Sequence, residues 1–299
     1  MMHPLIERAS QRLPVQQLCD LAAVPRSSYY RASQPREPRP DPNEEVLGKI
    51  RTICEEMPRY GSPRVTAELR RRGFQVNHKR VSRLMGKANL CCRRKKRFVR
   101  TTDSKHNLRI YPNVAKDVVV ARPDQLWRAD ITYVQLVREF IYLAVILDAF
   151  SRRVVGWALS LHIDAALTLT ALRMAIGQRH VVPGLVHHSD RGVQYASDEY
   201  IALLNEHQFT ISMSRKGNPY DNAMAESFMK TLKTEEVYIN DYCTASEATN
   251  NIHKFIEIVY NSKRLHSSLG YLTPSEKEAE YHHTQKPILA IQETVSSEG

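Results

Sequence analysis

Apolar positions change period along this chain. From Val15 to Leu90 they recur at helical spacing. Val15, Leu18, Cys19 and Ala22 share a face, and a turn at Ala23-Val24-Pro25 predicts two short helices over 13–31. These fit a helix-turn-helix exposing Arg26, Ser27, Ser28, Tyr29 and Tyr30, and equally an ordinary helical hairpin. Four prolines in the thirteen residues 31–43 read as a stiff linker. The helical period resumes at Val46, Leu47, Ile50, Ile53 and Cys54. Ser62-Pro63, a cap and first-turn proline, opens RVTAELRRR, which stops at Gly73. Asn77 caps HKRVSRLMGKANL. Residues 44–92 thus form a three-helix unit whose last helix turns Lys79, Arg80 and Arg83 outward as a recognition-helix candidate.

Beyond Leu126 the pattern becomes strand-like. Runs at 126–134, 139–148 and 153–160, joined by short turns, predict an antiparallel meander. Asp164 caps a helix, a strand at 184–189 leads to Asp190, a helix spans 197–207, and TISMS at 210–214 makes a fifth strand. Strands followed by alternating helix and strand indicate an α/β layer fold with a mixed sheet. Ile252, Phe255, Ile256 and Val259 fall on one face of a later helix, and Thr273-Pro274-Ser275-Glu276 is a capping box opening the last one. From Lys286 the tail has little pattern.

Of the 299 residues 42% are hydrophobic, enough for a packed core. The longest uncharged apolar run, FIYLAVIL at 140–147, is far short of the roughly 20 residues needed to cross a bilayer. MMHPLIERAS lacks the layout of a secretory signal, so a cytoplasmic protein with no membrane partner is expected. The five cysteines have neither C-x-x-C nor zinc-like spacing and read as reduced bystanders. The net charge of +11 is unevenly shared: residues 1–122 hold 27 Lys and Arg against 11 Asp and Glu, the remainder 16 against 21. The basic half is the expected contact with nucleic acid. Within it, Arg93-Arg94-Lys95-Lys96-Arg97 is a like-charge block suited to tracking phosphates, over a linker at 93–123.

The candidate chemistry lies in the acidic half. In LWRADITYV, Asp130 interrupts a strand, which is costly unless something neutralises it. In GLVHHSDRGVQY, Asp190 ends an apolar run where a strand meets a loop. SRKGNPYDNAMAESFMKTLKTEE, residues 214–236, reads as a loop and then a helix capped by Asp221 or Asn222. Asn222, Glu226, Lys230 and Lys233 share a face of that helix. Two carboxylates about 4 Å apart repel by roughly 4 kcal/mol at an effective dielectric near 20. Three clustered together would need a cation. His187 and His188 alternate to opposite sheet faces and do not share a metal. Asp148 reads as a turn residue, and Asp198, Glu199, Asp221, Glu235 and Glu236 as caps or solvated positions.

With 35 residues between Asp190 and Glu226, and with HSDRGVQY, GNPYDNAMAESFMKTLK and YNSKRLHSSLGYLTP in order, the chain resembles the DDE transposases of two-frame bacterial insertion sequences. These are relatives of retroviral integrases, and the likeness is strongest over 124–280. It implies a ribonuclease-H-like five-stranded core at 124–240, a helical extension at 241–285, and a tail at 286–299, behind helix-turn-helix regions at 1–31 and 44–92. It also implies catalysis by Asp130, Asp190 and Glu226. These would hold Mg²⁺ or Mn²⁺, two ions suiting in-line phosphoryl displacement. The implied reaction cuts element-end DNA and joins the freed 3′-hydroxyl to target DNA. Lys233, and less so Lys230, would contact DNA near the cut. Seven residues, or about 10 Å of helix, would keep Lys233 away from ions held by Glu226. Lys263, Arg264 and His266 fit DNA contact or a structural loop equally.

The implied partners are double-stranded DNA, further copies of the chain assembling as a homo-oligomer on that DNA, and an upstream-frame product, in the nucleoid of the bacterial cytoplasm. No sustained heptad pattern is visible, so the chain reads as the downstream frame alone. The rival readings are a catalytically silent DNA-binding regulator and a simple nuclease without strand joining. The intact carboxylates oppose the first and the large basic front end the second.

Overall fold

The computed structural model describes residues 14–33, 41–90, 109–215 and 219–296. Two compact units divide at Lys49 and Ile50. In the first, α1 (Val15–Leu21) and α2 (Arg26–Ser33) bury Leu18, Cys19 and Tyr29 together. Helix α3 (Glu44–Glu56) spans the division.

The second unit begins with the end of α3, then α4 (Ser62–Arg71) and α5 (His78–Lys87), which pack on one another and bury Val65, Leu69, Val81, Leu84 and Met85. Asn77 caps α5 as expected, its side chain accepting from the Lys79 amide. Ser62 does not cap α4. Gly61 takes the N-cap, and the Ser62 hydroxyl instead meets His78 Nε2 at 3.1 Å, so the helix starts one residue early.

The core is a five-stranded mixed sheet in the order β3-β2-β1-β4-β5. Its strands are β1 (Leu126–Gln135), β2 (Phe140–Asp148), β3 (Val154–Ser160), β4 (Val186–Ser189) and β5 (Thr210–Met213). β1, β2 and β3 form the antiparallel meander, while β4 runs parallel to β1 and to β5. First and fourth strands are neighbours, the ribonuclease-H-like arrangement.

Both sheet faces are covered, which explains why β2 reads as one apolar run rather than an alternating one. Ile141, Leu143, Val145 and Leu147 face α8 (Ala223–Glu235), α9 (Ala245–Lys254) and the π-helical turns Phe255–Tyr260. Ala144 and Ile146 face α6 (Ala165–Gln178) and α7 (Asp198–Glu206). Asp164 caps α6 by accepting from Leu167 N. Gly156 lets β3 and α6 approach closely, since a Cβ there would lie 2.3 Å from the Ala171 carbonyl oxygen. The last helix, α10 (Pro274–Ser296), opens with the expected reciprocal box, Thr273 N donating to Glu276 and Glu276 N to the Thr273 hydroxyl. It continues past Lys286.

Candidate active site

β4 pairs with β1 only across Leu126–Arg128, so the two parallel strands part just before Asp130. Asp190 follows the last residue of β4. Asp130 therefore stands mid-way along β1, just past its pairing with β4, and Asp190 just past the carboxyl end of β4, where ligands meet such sheets. Each is partly buried. Asp130 Oδ1 accepts from the Ile131 amide at 2.9 Å. Asp190 Oδ1 accepts from Gly192 N at 2.8 Å, and a Cβ on Gly192 would press on that same oxygen at 3.0 Å. The glycine of HSDRG thus lets the loop fold back over its aspartate.

Glu226 arrives from α8 and is exposed, as is Lys230. The start of that helix is built differently from the sequence expectation. Asn222 occupies the N-cap, but its side chain makes no cap bond; Nδ2 donates instead to the Ala129 carbonyl, one residue before Asp130. Arg128 donates to the Asp221 carbonyl. Asp221 does not cap either: Arg215 holds it from both backbone and side chain and keeps its carboxyl well below the usual range. The start of α8 is thereby tied to β1 at two neighbouring residues.

The electrostatics of Asp130 register all three acids. Burial, then the Asp190 charge, and less strongly Glu226, push its carboxyl up to about 8, against the Ile131 amide and the Lys233 ammonium. Lys233, seven residues beyond Glu226 on α8, lies on the side of Asp130. It is half-buried, with its Nζ 3.9 Å above the centroid of the Tyr133 ring and within electrostatic reach of Asp130. Burial lowers its pKa despite that attraction. Tyr133, a strand residue with no sequence signal beyond its β propensity, is the platform that the sequence does not reveal. Tyr195 is buried beside both aspartates, and its hydroxyl has no hydrogen-bond partner among the described residues.

Among the described residues, no three His, Cys, Asp or Glu side chains are drawn tightly enough together to enclose an ion. The donor chemistry nevertheless fits a hard divalent cation. It is a set of carboxylate oxygens, and burial together with the neighbouring acid charges raises the Asp130 carboxyl.

The remaining polar residues have structural partners. His187 meets the Tyr200 hydroxyl at 3.0 Å, while His188 meets Ser212 and Ser214 on the other side, so the two do not share a ligand. Asp148 is buried and accepts from Ser151 and the Asp124 amide, the expected turn role. Glu235 is no solvated position; it grips Arg264. Glu236 accepts from Tyr242 and Asn240. Arg264 and His266 are buried, which places both away from a DNA surface. Lys79 and Arg83 are exposed on α5 and Arg80 is half-buried. Arg93, Arg94, Lys95, Lys96 and Arg97 lie outside the described residues.

A sheet in this order, with carboxylates at its parting strands and helical units in front, defines an integrase-type core. Residues 120–219 and 207–274 match integrase core domain models, and residues 41–98 match an HTH-like domain. The chain is 40% identical over 237 residues to the transposase for insertion sequence element IS904 of Lactococcus lactis, covering 78% of this chain and 94% of that one. It is 33% identical over 286 residues to the transposase InsF for insertion sequence IS3A of Escherichia coli, covering 93% and 98%. The HTLV-2 integrase catalytic core domain, solved in complex with magnesium, aligns at 17% identity and a TM-score of 0.41, over 52% of this chain and 97% of that one. The chain belongs to the insertion-sequence transposases with an integrase core domain.

Proposed function

We propose that the chain cuts DNA at the ends of an insertion sequence and joins the freed 3′-hydroxyl to target DNA, using Asp130, Asp190 and Glu226 as its catalytic carboxylates. The observation that carries this is the placement of Asp130 just past the β1–β4 pairing, Asp190 just after β4 and Glu226 on a helix tied to β1, with burial and the two other acids together raising the Asp130 carboxyl. Three acids placed to repel one another call for a positive partner. Asp130, Asp190 and Glu226 would hold a divalent cation such as Mg²⁺ or Mn²⁺, a pair suiting the reaction. When bound, such ions supply the positive charge that activates the attacking oxygen and offsets charge developing on the leaving one.

The chain's own groups do the rest. Asp130 must release its proton for the site to assemble. Tyr133 holds the Lys233 ammonium beside that carboxylate, where it can meet a phosphate flanking the cut. Arg128 and Asn222 keep the start of α8 against β1, so that Glu226 enters on a fixed helix. Lys79, Arg80 and Arg83 on α5, with the basic block 93–97, would position duplex DNA through its phosphates.

The test uses the full chain with labelled duplexes carrying the flanking repeats of its own element. Nicked and joined products that require Mg²⁺ or Mn²⁺ and vanish with chelator support the reading. Tight DNA binding without either product in both metals points to the regulator instead, and nicking without joining to the simple nuclease.

A further inference from the structure

The segment YNSKRLHSSLGYLTP contains a buried guanidinium. Arg264 is 3% exposed, and its Nε and Nη2 donate to the two carboxylate oxygens of Glu235 at 2.7 Å each. A parallel fork of this kind is both strong and orienting. His266 Nε2 stands 3.5 Å from the third nitrogen, and burial and the neighbouring arginines lower that imidazole to about 3, leaving it neutral. Breaking one side of a buried pair is far more damaging than the pair is stabilising, so the fork is expected to stay made. Glu235 is the last residue of α8 and lies two residues beyond Lys233.

The same segment is also held by residues of the helix-turn-helix region. Leu265 N donates to the Tyr60 hydroxyl at 2.8 Å, and Arg64 Nε donates to the Leu265 carbonyl at 3.1 Å. Arg71 pairs with Glu276, the residue that completes the capping box of α10. One short stretch of backbone therefore connects the end of the catalytic helix to the elements in front of the core.

We propose that Arg264 is a positioning residue for strand joining. Through the Glu235 fork and the Leu265–Tyr60 bond, it fixes the last turn of α8, and Lys233 with it, relative to the helix-turn-helix region. This rests on the function proposed above. DNA held by α4 and α5 is thereby placed in register with the carboxylates, and loosening the strut costs rate rather than affinity. Misplacement by about 1 Å can cost up to a hundredfold in rate.

The experiment compares the full chain with Arg264→Lys, which keeps charge but not the fork, and with Tyr60→Phe, which removes only the hydroxyl. Joining from a pre-cleaved 3′ end is measured per bound complex, alongside end-complex affinity and melting temperature. Both variants are expected to bind within about threefold of wild type and to join about tenfold more slowly. The double variant should be little worse than the slower single, because the two act as one unit. Joining per bound complex at the wild-type rate in the folded variants overturns the inference and leaves Arg264 a scaffold residue. If Arg264→Lys does not fold, Tyr60→Phe decides alone by the same criterion. A wild-type chain that binds ends but never joins them overturns the proposed function, and this inference with it.

Discussion

Lys233→Ala removes a cation that is half-buried between an aromatic ring and a carboxylate. The ammonium stands 3.9 Å above Tyr133, and Asp130 is close enough to raise its pKa against the desolvation that lowers it. A hydrogen bond from such a charged, partly dehydrated donor to a phosphate contributes about 1.5–3 kcal/mol. The loss in end-complex affinity should therefore be roughly tenfold to a hundredfold. The slope of log affinity against log salt should become shallower by about one, the signature of a single phosphate contact. Lys230→Ala is the control: Lys230 is exposed, and a solvated contact contributes about 0.2–1 kcal/mol. Tyr133→Leu keeps the charge but removes its platform, so it should slow joining without changing the salt slope. Binding titrations at several salt concentrations, paired with joining assays, measure all three. Unchanged affinity and slope in Lys233→Ala would refute the reasoning and leave the lysine as a packing partner of Tyr133.

Further outcomes follow from the same geometry. Asp130, raised to about 8, holds a proton through neutrality that a cation must displace, so the metal concentration for half-maximal joining should fall as pH rises from about 6.5 to 8.5. Because the unfolded chain releases that proton near pH 4, the stability of metal-free protein should decline as pH rises from about 4 to about 8, measurable by denaturant titration. Gly156→Ala places a methyl 2.3 Å from the Ala171 carbonyl oxygen and should destabilise by about 1–3 kcal/mol; an unchanged unfolding midpoint would count against the tight contact between β3 and α6. Lys79→Ala and Arg83→Ala should each weaken duplex binding across all sequences and reduce the salt slope by about one, and a loss confined to one sequence would instead mean base contact.

The parts of the molecule that obey local rules were legible in the sequence. Alternating and continuous apolar runs marked the five strands, and Asp164, Asn77 and the Thr273 box capped their helices as spacing predicts. The apolar runs placed Asp130 within a strand and Asp190 at the end of another, while the adjacency of those two strands came only from the family resemblance. What was illegible depends on partners remote in sequence. Asn222 looks like a cap until β1 passes beneath it and offers the Ala129 carbonyl. Glu235 looks solvated until a residue 29 positions later supplies a guanidinium. Lys233 sits on a Tyr133 ring that no helical period could pair with it. Nor could any local pattern pair Tyr60, Arg64 and Arg71 with the segment 265–276, about two hundred positions later, to which they bond.

The central claim is that three carboxylates do the chemistry, and it is tested by changing each without changing its shape. Asp130→Asn, Asp190→Asn and Glu226→Gln are assayed in the full chain on labelled element-end duplexes, in Mg²⁺ and in Mn²⁺, with DNA binding measured in parallel. Loss of both cutting and joining in every variant, with binding kept within a few-fold, is the predicted result; turnover near the wild-type rate by any one of them would remove that residue from the catalytic set.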